Sequence, residues 1–347
     1  MKNIIKYNEN TNIKQKCSPF LLKIFIILIL SLITFSLEKE YLFCLRCIKN
    51  NNIKNLDFKC NKCPNELVFR DFHFASTQET LNEILIHNKS ISRFGDGEIN
   101  YIIHKRGLSF QKFDPKLSIR LQKILNNLNK NILIGINIPY QKKKLRTFTK
   151  RRINFFNNWF NKDKFRIIKL LNKSKQYYSS RISRFYVGLK DKSKVPKYIE
   201  ILKKIWEGRD IVIVEGNNLR LGIGNDLFNK SKSIKRIICP SKNAFRLYDK
   251  ILQSVLKLKK TFLIIIALGP TATVLSYDLS LYGYQAIDLG QTDIEYELYL
   301  RNATKMIPIP NKYVNEAKGK KQKIGKVKSI NYYKQIILNF HYFFGFS

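Results

Sequence analysis

Acidic residues are scarce in this chain. Asp and Glu number 25 in 347 residues, against 64 Lys and Arg, for a formal net charge of +39 at neutral pH. Such a field attracts anions: nucleic acid, acidic lipid headgroups or phosphorylated small molecules. The basic residues are scattered, however, in runs such as Lys142-Lys143-Lys144 and Lys318-Gly319-Lys320-Lys321. Lys, Asn and Ile are all abundant, which is also the composition an AT-rich genome produces. No helix-turn-helix or RNA-binding signature is present, so charge alone does not argue for nucleic acid, and no nucleic-acid partner is expected.

Other absences narrow the classes further. There is no internal repeat. The glycines after residue 215 lack the third glycine of a dinucleotide fingerprint, and no Gly-Lys-Ser/Thr follows to make a P-loop. The apolar run of residues 20–37 has no small-x-small cleavage site after it, which counts against a removable signal peptide.

That run is interrupted only by Lys23, Ser31, Thr34 and Ser36. It is short for a membrane span, which takes about 20 apolar residues, but a snorkelling Lys23 closes the gap. Lys2, Lys6, Lys14 and Lys16 precede it against Glu9, and Glu38 and Glu40 follow with Lys39 between. The positive-inside bias predicts a single-pass signal anchor, with the N-terminus cytoplasmic and the bulk of the chain on the luminal or extracytoplasmic side. A cleaved signal peptide and a buried core helix are the competing readings.

Six cysteines are present, and four form the pairs Cys44-x-x-Cys47 and Cys60-x-x-Cys63 with twelve residues between. That spacing suits a four-thiolate zinc site. In an oxidising lumen the same thiols form disulfides. Both alternatives make this a small structural stem.

The length is enough for one large domain or two ordinary ones. We divide it into a polar tail (1–19), the anchor (20–37), a Cys-rich stem (38–75), a catalytic domain (76–308), and a basic linker with an aromatic C-terminal segment (309–347). Within the domain, strands alternate with helices. Strands are expected at 91–94, 132–138, 210–215, 234–239, 262–268 and 285–289. Helices are expected at 77–88 (Thr77 as N-cap), 117–128 (opened by Asp114-Pro115), 151–171, 195–206, 243–256 and 271–282. This rhythm predicts an α/β fold, a Rossmann-like, mostly parallel sheet flanked by helices.

Open α/β sheets bind ligands where loops leave the carboxyl ends of strands. The first such loop is Arg93-Phe94-Gly95-Asp96-Gly97-Glu98. Its two carboxylates suit a hard cation such as Mg2+ or Mn2+, which keeps waters and bridges to phosphates. An acidic helix start that answers the helix dipole is the alternative. The second loop runs from Glu215 and Gly216 through Arg220, Gly222, Gly224 and Asn225. Its Arg and Gly-x-Gly turn suit phosphate, or it is a plain Gly-rich connection. Ser241 and Asn243 lie in a third loop, as a helix cap or as pocket lining. Gly269 and Thr271 lie in a fourth, where a strand feeds a helix N-terminus that suits an anion or is simply capped. After the last strand, four acids fall within ten residues, Asp288 to Glu297. One of them is a candidate general base, or the segment is a solvated acidic helix start.

Taken together, these blocks resemble the GT-D glycosyltransferase domain family. The likeness rests on Arg93-to-Glu98, Leu108-to-Asp114, Leu117-to-Leu121, Ile213-to-Gly216, Arg220-to-Leu227, Ile238-to-Phe245, Ala267-to-Thr273 and Asp293-to-Glu297, in that order, and covers residues 76–305. It implies a GT-D-type α/β fold and a glycosyltransferase whose Asp-x-Glu motif, here Asp96-Gly97-Glu98, binds Mn2+ or Mg2+ and a UDP-sugar. It implies a glycan or glycoprotein acceptor. In the mechanism expected from these loops, Arg93, Gly95, Gly97, Glu215, Gly216, Arg220, Gly222, Gly224, Asn225, Ser241, Asn243, Gly269 and Thr271 serve the donor, and Asp293 or Glu295 deprotonates the acceptor. The family often has His where this chain has Gln291. Another nucleotide-dependent α/β transferase, or an inactive transferase-like membrane-tethered binding protein, is the rival reading.

Overall fold

A computed structural model of the protein describes residues 69, 71–137, 145–317, 322 and 324–340. These belong to the second of two compact units, Asn65–Ser347. The expected tail, anchor and Cys-bearing stem up to residue 68, with Cys44, Cys47, Cys60 and Cys63, lie outside the described residues.

The expectation of a single-pass protein with a luminal catalytic domain is corrected here. Among the described residues, no helix is long and apolar enough to cross a membrane. The longest, Lys150–Leu170, has 21 residues, but Lys150, Arg151, Arg152, Lys162, Asp163, Lys164, Arg166 and Lys169 break up its apolar positions. Segment 20–37, on which the expectation rested, lies outside the described residues.

The first half of the fold runs β1 (His73–Phe74), α1 (Thr77–Ile86), β2 (Ser90–Phe94), α2 (Asp96–His104), α3 (Pro115–Leu125), β3 (Ile132–Ile136), α4 (Lys150–Leu170) and β4 (Gln176–Ser179). The second runs α5 (Val195–Trp206), β5 (Asp210–Gly216), β6 (Ser233–Cys239), α6 (Tyr248–Leu256), β7 (Leu263–Ala267), α7 (Pro270–Leu281), β8 (Ala286–Asp288), α8 (Thr292–Leu300), α9 (Ile330–Gln335) and β9 (Ile336–Asn339). The nine strands pair in parallel in the order β1-β4-β3-β2-β8-β7-β5-β6-β9. The central strands are written as β-branched runs because helices cover both faces. All five residues of β7 are buried, as are Ile211 to Gly216 of β5.

Local chemistry sets the helix starts. Ser76, not the expected Thr77, caps α1: its hydroxyl accepts from Glu79 N at 3.2 Å, and the Glu79 carboxylate accepts from Ser76 N at 2.6 Å. The reciprocal pair is a capping box. Asp114 caps α3 by accepting from Lys116 N at 2.8 Å and Leu117 N at 3.2 Å. The helix expected at 243–256 divides into a 3-10 turn, Ala244–Leu247, followed by α6.

The domain is wider than 76–308. On one side β1 pairs with β4, and Phe69 and Phe72 are buried. On the other, Ile309, Lys312 and Val314 are buried and β9 pairs with β6, so this stretch is part of the fold where a basic linker was expected.

One buried ion pair ties the last elements together. Arg236 on β6 donates to Glu215 at the end of β5 at 2.5 Å, to the Leu221 carbonyl at 2.9 Å and to Gln335 Oε1 on α9 at 2.7 Å. Burial pushes the Glu215 carboxyl up, and Arg236 opposes that shift. Removing one partner strands the other charge. Arg236→Met is therefore expected to lower the unfolding free energy by about 3–5 kcal/mol in urea titration, with the Glu215→Met/Arg236→Met double variant recovering most of the loss. A single variant as stable as wild type would refute the role.

Candidate active site

The carboxyl ends of the strands open into one cleft of about 800 Å³. It is lined by the segments that follow β2, β3, β4, β5, β6, β7 and β8, and by residues 304–306, 313, 315 and 316. β2 and β8 are sheet neighbours, yet their chains continue into opposite halves of the sheet, β2 toward β3 and β8 reached from β7. This is the crevice where an open α/β sheet takes its ligand.

Arg93, expected to hold phosphate, instead spans the crevice floor. It donates from Nη2 to Asp288 Oδ1 at 2.8 Å, from Nε to the Asp288 carbonyl at 2.5 Å, and from Nη1 to the Ser180 carbonyl at 3.4 Å and to the Ser183 hydroxyl. Burial pushes the Asp288 carboxyl up, against the pull of Arg93. Gly290 makes room for this bridge. Its φ is +49°, and a Cβ there would stand 1.9 Å from Arg93 Nη2.

The Asp-x-Glu pair opens α2. Glu98 turns back to cap its own helix, accepting from Gly95 N at 2.9 Å, and burial pushes its carboxyl up to about 7. Asp96 lines the cleft and makes no hydrogen bond or ion pair among the described residues. Those residues gather no group of three or more His, Cys, Asp or Glu as a metal cage. Two adjacent carboxylates, one free and one with an oxygen to spare, fit Mg2+ or Mn2+, which keeps waters and completes its shell from substrate phosphate. They do not fit an ion that needs a full set of protein ligands.

The structure disperses several of the other expected residues. Gly95, Gly97, Gly216, Ser241 and Gly269 line the cleft. Gly269 has φ +58° at the start of α7, and a Cβ there would meet the Phe110 ring at 2.4 Å, so the glycine admits that ring. Glu215 is in the core with Arg236. Arg220 donates to the Asn311 carbonyl at 2.9 Å. Gly222 N and Asn225 Nδ2 both donate to Asp293 Oδ1, at 2.9 and 2.8 Å, and Gly224 lies beside them outside the lining. The Gly-rich turn therefore packs on α8, with Gly222, Gly224 and Asn225 outside the cleft lining. Asn243 docks the loop before α3, donating from its N to the Phe110 carbonyl and accepting from Lys112 N, both at 2.8 Å. Thr271 is fully buried, and its hydroxyl has no partner among the described residues.

Asp293 and Glu295 border the cleft but are occupied. Asp293 Oδ2 receives the buried Lys312 ammonium at 2.6 Å, and Lys312 also reaches Glu297 at 3.1 Å. Glu295 Oε2 accepts from Tyr186 N at 2.8 Å and Val187 N at 3.0 Å. A carboxylate so engaged is a support for backbone, and the geometry leaves it poorly placed to take a proton from an acceptor hydroxyl.

Sequence reasoning missed the opposite wall. Arg151 and Arg152 at the start of α4, and Arg181 and Arg184 after β4, all line the cleft. A signal was available: three cations, Lys150 to Arg152, open a helix with no acid in its first turn, against the sense of the helix dipole. It also missed the stretch Ile309–Ala317. Tyr313 N donates to the Asn218 carbonyl at 3.0 Å, Ser109 donates to Asn315 at 3.1 Å, and Glu316 pairs with Arg184.

Comparison with known proteins agrees with this geometry. The family model for the glycosyltransferase GT-D fold matches residues 91–317. A probable glycosyl transferase Gly of Streptococcus gordonii is 36% identical over 250 residues, which is 71% of this chain and 36% of that one. Glycosyltransferase GlyD of Streptococcus pneumoniae is 38% identical over 238 residues, 69% of this chain and 29% of that one. The chain thus spans about a third of the length of these curated relatives. Among solved structures, the domain of unknown function 1792, described as having a distinct glycosyltransferase fold, superposes with a TM-score of 0.73 at 37% identity, covering 78% of this chain and 98% of that one. A glycosyltransferase of the same domain type from Streptococcus sanguinis gives 0.73 at 34% identity, covering 77% and 99%.

The supporting role of Glu295 has a direct check. Glu295→Ala leaves the Tyr186 and Val187 N–H groups without their acceptor, and should cost about 1–3 kcal/mol of stability for each. Denaturant unfolding reads this; full stability combined with lost turnover would restore Glu295 as a base.

Proposed function

The chain belongs to the GT-D fold glycosyltransferase family, and from that premise we propose that it moves a sugar from a UDP-sugar to a hydroxyl of a glycan or glycoprotein, with Mn2+ or Mg2+ held by Asp96 and Glu98. The observation that carries the donor reading is Asp96. It is a carboxylate without a protein partner among the described residues, at the carboxyl end of β2, in a cleft lined by Arg151, Arg152, Arg181 and Arg184. An unpaired acid among cations is what a site needs when it recruits a metal and a diphosphate together.

Asp96 would hold the ion directly, and Glu98 would do so through the oxygen not used to cap α2. A divalent ion there neutralises charge on the departing diphosphate. Gly97 leaves the backbone beside it uncrowded, with only the Leu108 side chain within 4 Å of where its Cβ would be. Gly216, Ser241 and Gly269 line the other side of the crevice, where the backbone is open to a polar part of the donor. Arg93 and Asp288 keep the two sides at a fixed spacing. Asp293 and Glu295 hold the loops, and no protein base is assigned to the acceptor.

The test is binding and hydrolysis of a panel of UDP-sugars by the full chain, with and without Mn2+. Metal-dependent binding of one donor is expected. Asp96→Asn should abolish it while circular dichroism and the thermal midpoint stay at the wild-type values. Undiminished, still metal-dependent turnover by Asp96→Asn would overturn the assignment.

A further inference from the structure

The arginines opposite Asp96 are held in an unusual way. Arg152 lies with its guanidinium 4.4 Å from the Phe156 ring centroid and 5.2 Å from that of Phe155. Arg181 lies 4.0 Å from that of Phe148. Neither guanidinium makes a hydrogen bond or ion pair among the described residues, and neither belongs to the buried polar atoms without a partner. Their N–H edges are therefore free and reachable. Stacking fixes each planar group by its face and leaves the edge fork to bind.

The two cations are also close enough to oppose each other. Burial first, and then the neighbouring Arg152, push Arg181 down to about 9. Burial and the neighbouring Arg184 push Arg152 down as well, and Asp96 is within electrostatic reach on the other side. Arg184 is already committed to Glu316. Glu295 favours the charged form of both arginines, and Asp96 and Glu316 that of Arg152, but none of these carboxylates bonds to either guanidinium among the described residues, so both forks stay open to an anion.

We propose that Arg152 and Arg181 form the seat of a diphosphate, supplied by the nucleotide-sugar donor. This rests on the donor reading given above. The planar forks match multidentate phosphate oxygens, and within the one cleft Asp96 is in electrostatic reach of Arg152, as Arg152 is of Arg181. The same chemistry could serve a phosphate-bearing acceptor, so the experiment separates the two sources.

The experiment is calorimetric titration of the full chain, as wild type, Arg152→Met, Arg181→Met and Arg181→Lys. The probes are UDP, uridine and inorganic pyrophosphate, each without and with Mn2+. Each Met variant should bind UDP and pyrophosphate roughly 10- to 100-fold more weakly, the range for lost hydrogen bonds to a charged group. Uridine binding should be unchanged, and Arg181→Lys should recover only part of the loss. The thermal midpoint of free Arg181→Met should equal or exceed that of wild type, because a like-charge contact is relieved. A purely structural arginine would show the reverse. Wild-type affinity for UDP in both Met variants would overturn the proposal, and so would equal losses for UDP and uridine. If wild type binds pyrophosphate through Arg181 but no UDP, the donor reading fails, the diphosphate seat stands, and the acceptor becomes its source.

Discussion

The cleft depends on the bridge between Arg93 and Asp288. β2 and β8 meet across a single register pair, Ile91 with Ile287, and β8 is only three residues long. The backbone ladder is thinnest where the two halves of the sheet join. Arg93 compensates from the side: it grips both the carboxylate and the carbonyl of Asp288, then reaches the turn after β4. Thr273 on α7 donates to the Arg93 carbonyl at 3.0 Å and to Asp288 at 3.3 Å. Ser92 donates to the Thr273 carbonyl at 2.7 Å. A charge pair so largely buried is costly unless well hydrogen-bonded, and here Nε, Nη1 and Nη2 of Arg93 all donate. Gly290 is the residue that lets the arginine lie there.

Asp96 inherits its position from this bridge. It is three residues past Arg93 on a helix whose first turn is closed by Glu98. On the far side, α8 begins four residues after Asp288, and Asp293 in its first turn holds the Gly222 turn and Lys312. Of the positions expected to serve the donor or to act as base, Arg93, Glu215, Arg220, Asn225, Asn243, Asp293 and Glu295 are bonded to other parts of the chain and so build the frame of the cleft. The frame sets the distance between the Asp96 edge and the loops after β5, β6 and β7.

The alternation of strand and helix was legible in the sequence wherever burial is periodic. β5, β7 and α5 fall within a residue or so of where the apolar patterns put them. The carboxyl-end loops were legible because glycines and acids cluster there. What escaped was of two kinds. β4 (Gln176–Ser179) and β9 have four residues each and sit toward the sheet edges, too short for a period to show. Side-chain partners escaped because they are remote in sequence: Arg93 and Asp288 are separated by 195 positions, and Glu295 accepts from backbone more than a hundred residues earlier. Acids after a strand look the same whether they face a substrate or a buried lysine. Lys312 decided the matter for Asp293, and it lies in a stretch whose composition suggested a linker.

The shortage of acids then explains how the cleft is tuned. Of the acids that line it, Glu98 caps a helix, Asp288 holds Arg93, Asp293 holds Lys312, Glu295 holds backbone and Glu316 holds Arg184. Asp96 alone has no protein partner among the described residues. Cations are abundant enough that Arg152 and Arg181 are left against aromatic faces, with no carboxylate bonded to their guanidinium groups among the described residues. The high net charge says little when spread over a surface, where solvent and salt screen it. Confined in a cleft walled by Phe110, Phe148 and Phe155, the same sign of charge meets a lower dielectric and acts more strongly on what enters. On the proposed reading, selection for an anion follows from which few cations the fold leaves without a bonded carboxylate, and the total of +39 does not determine it.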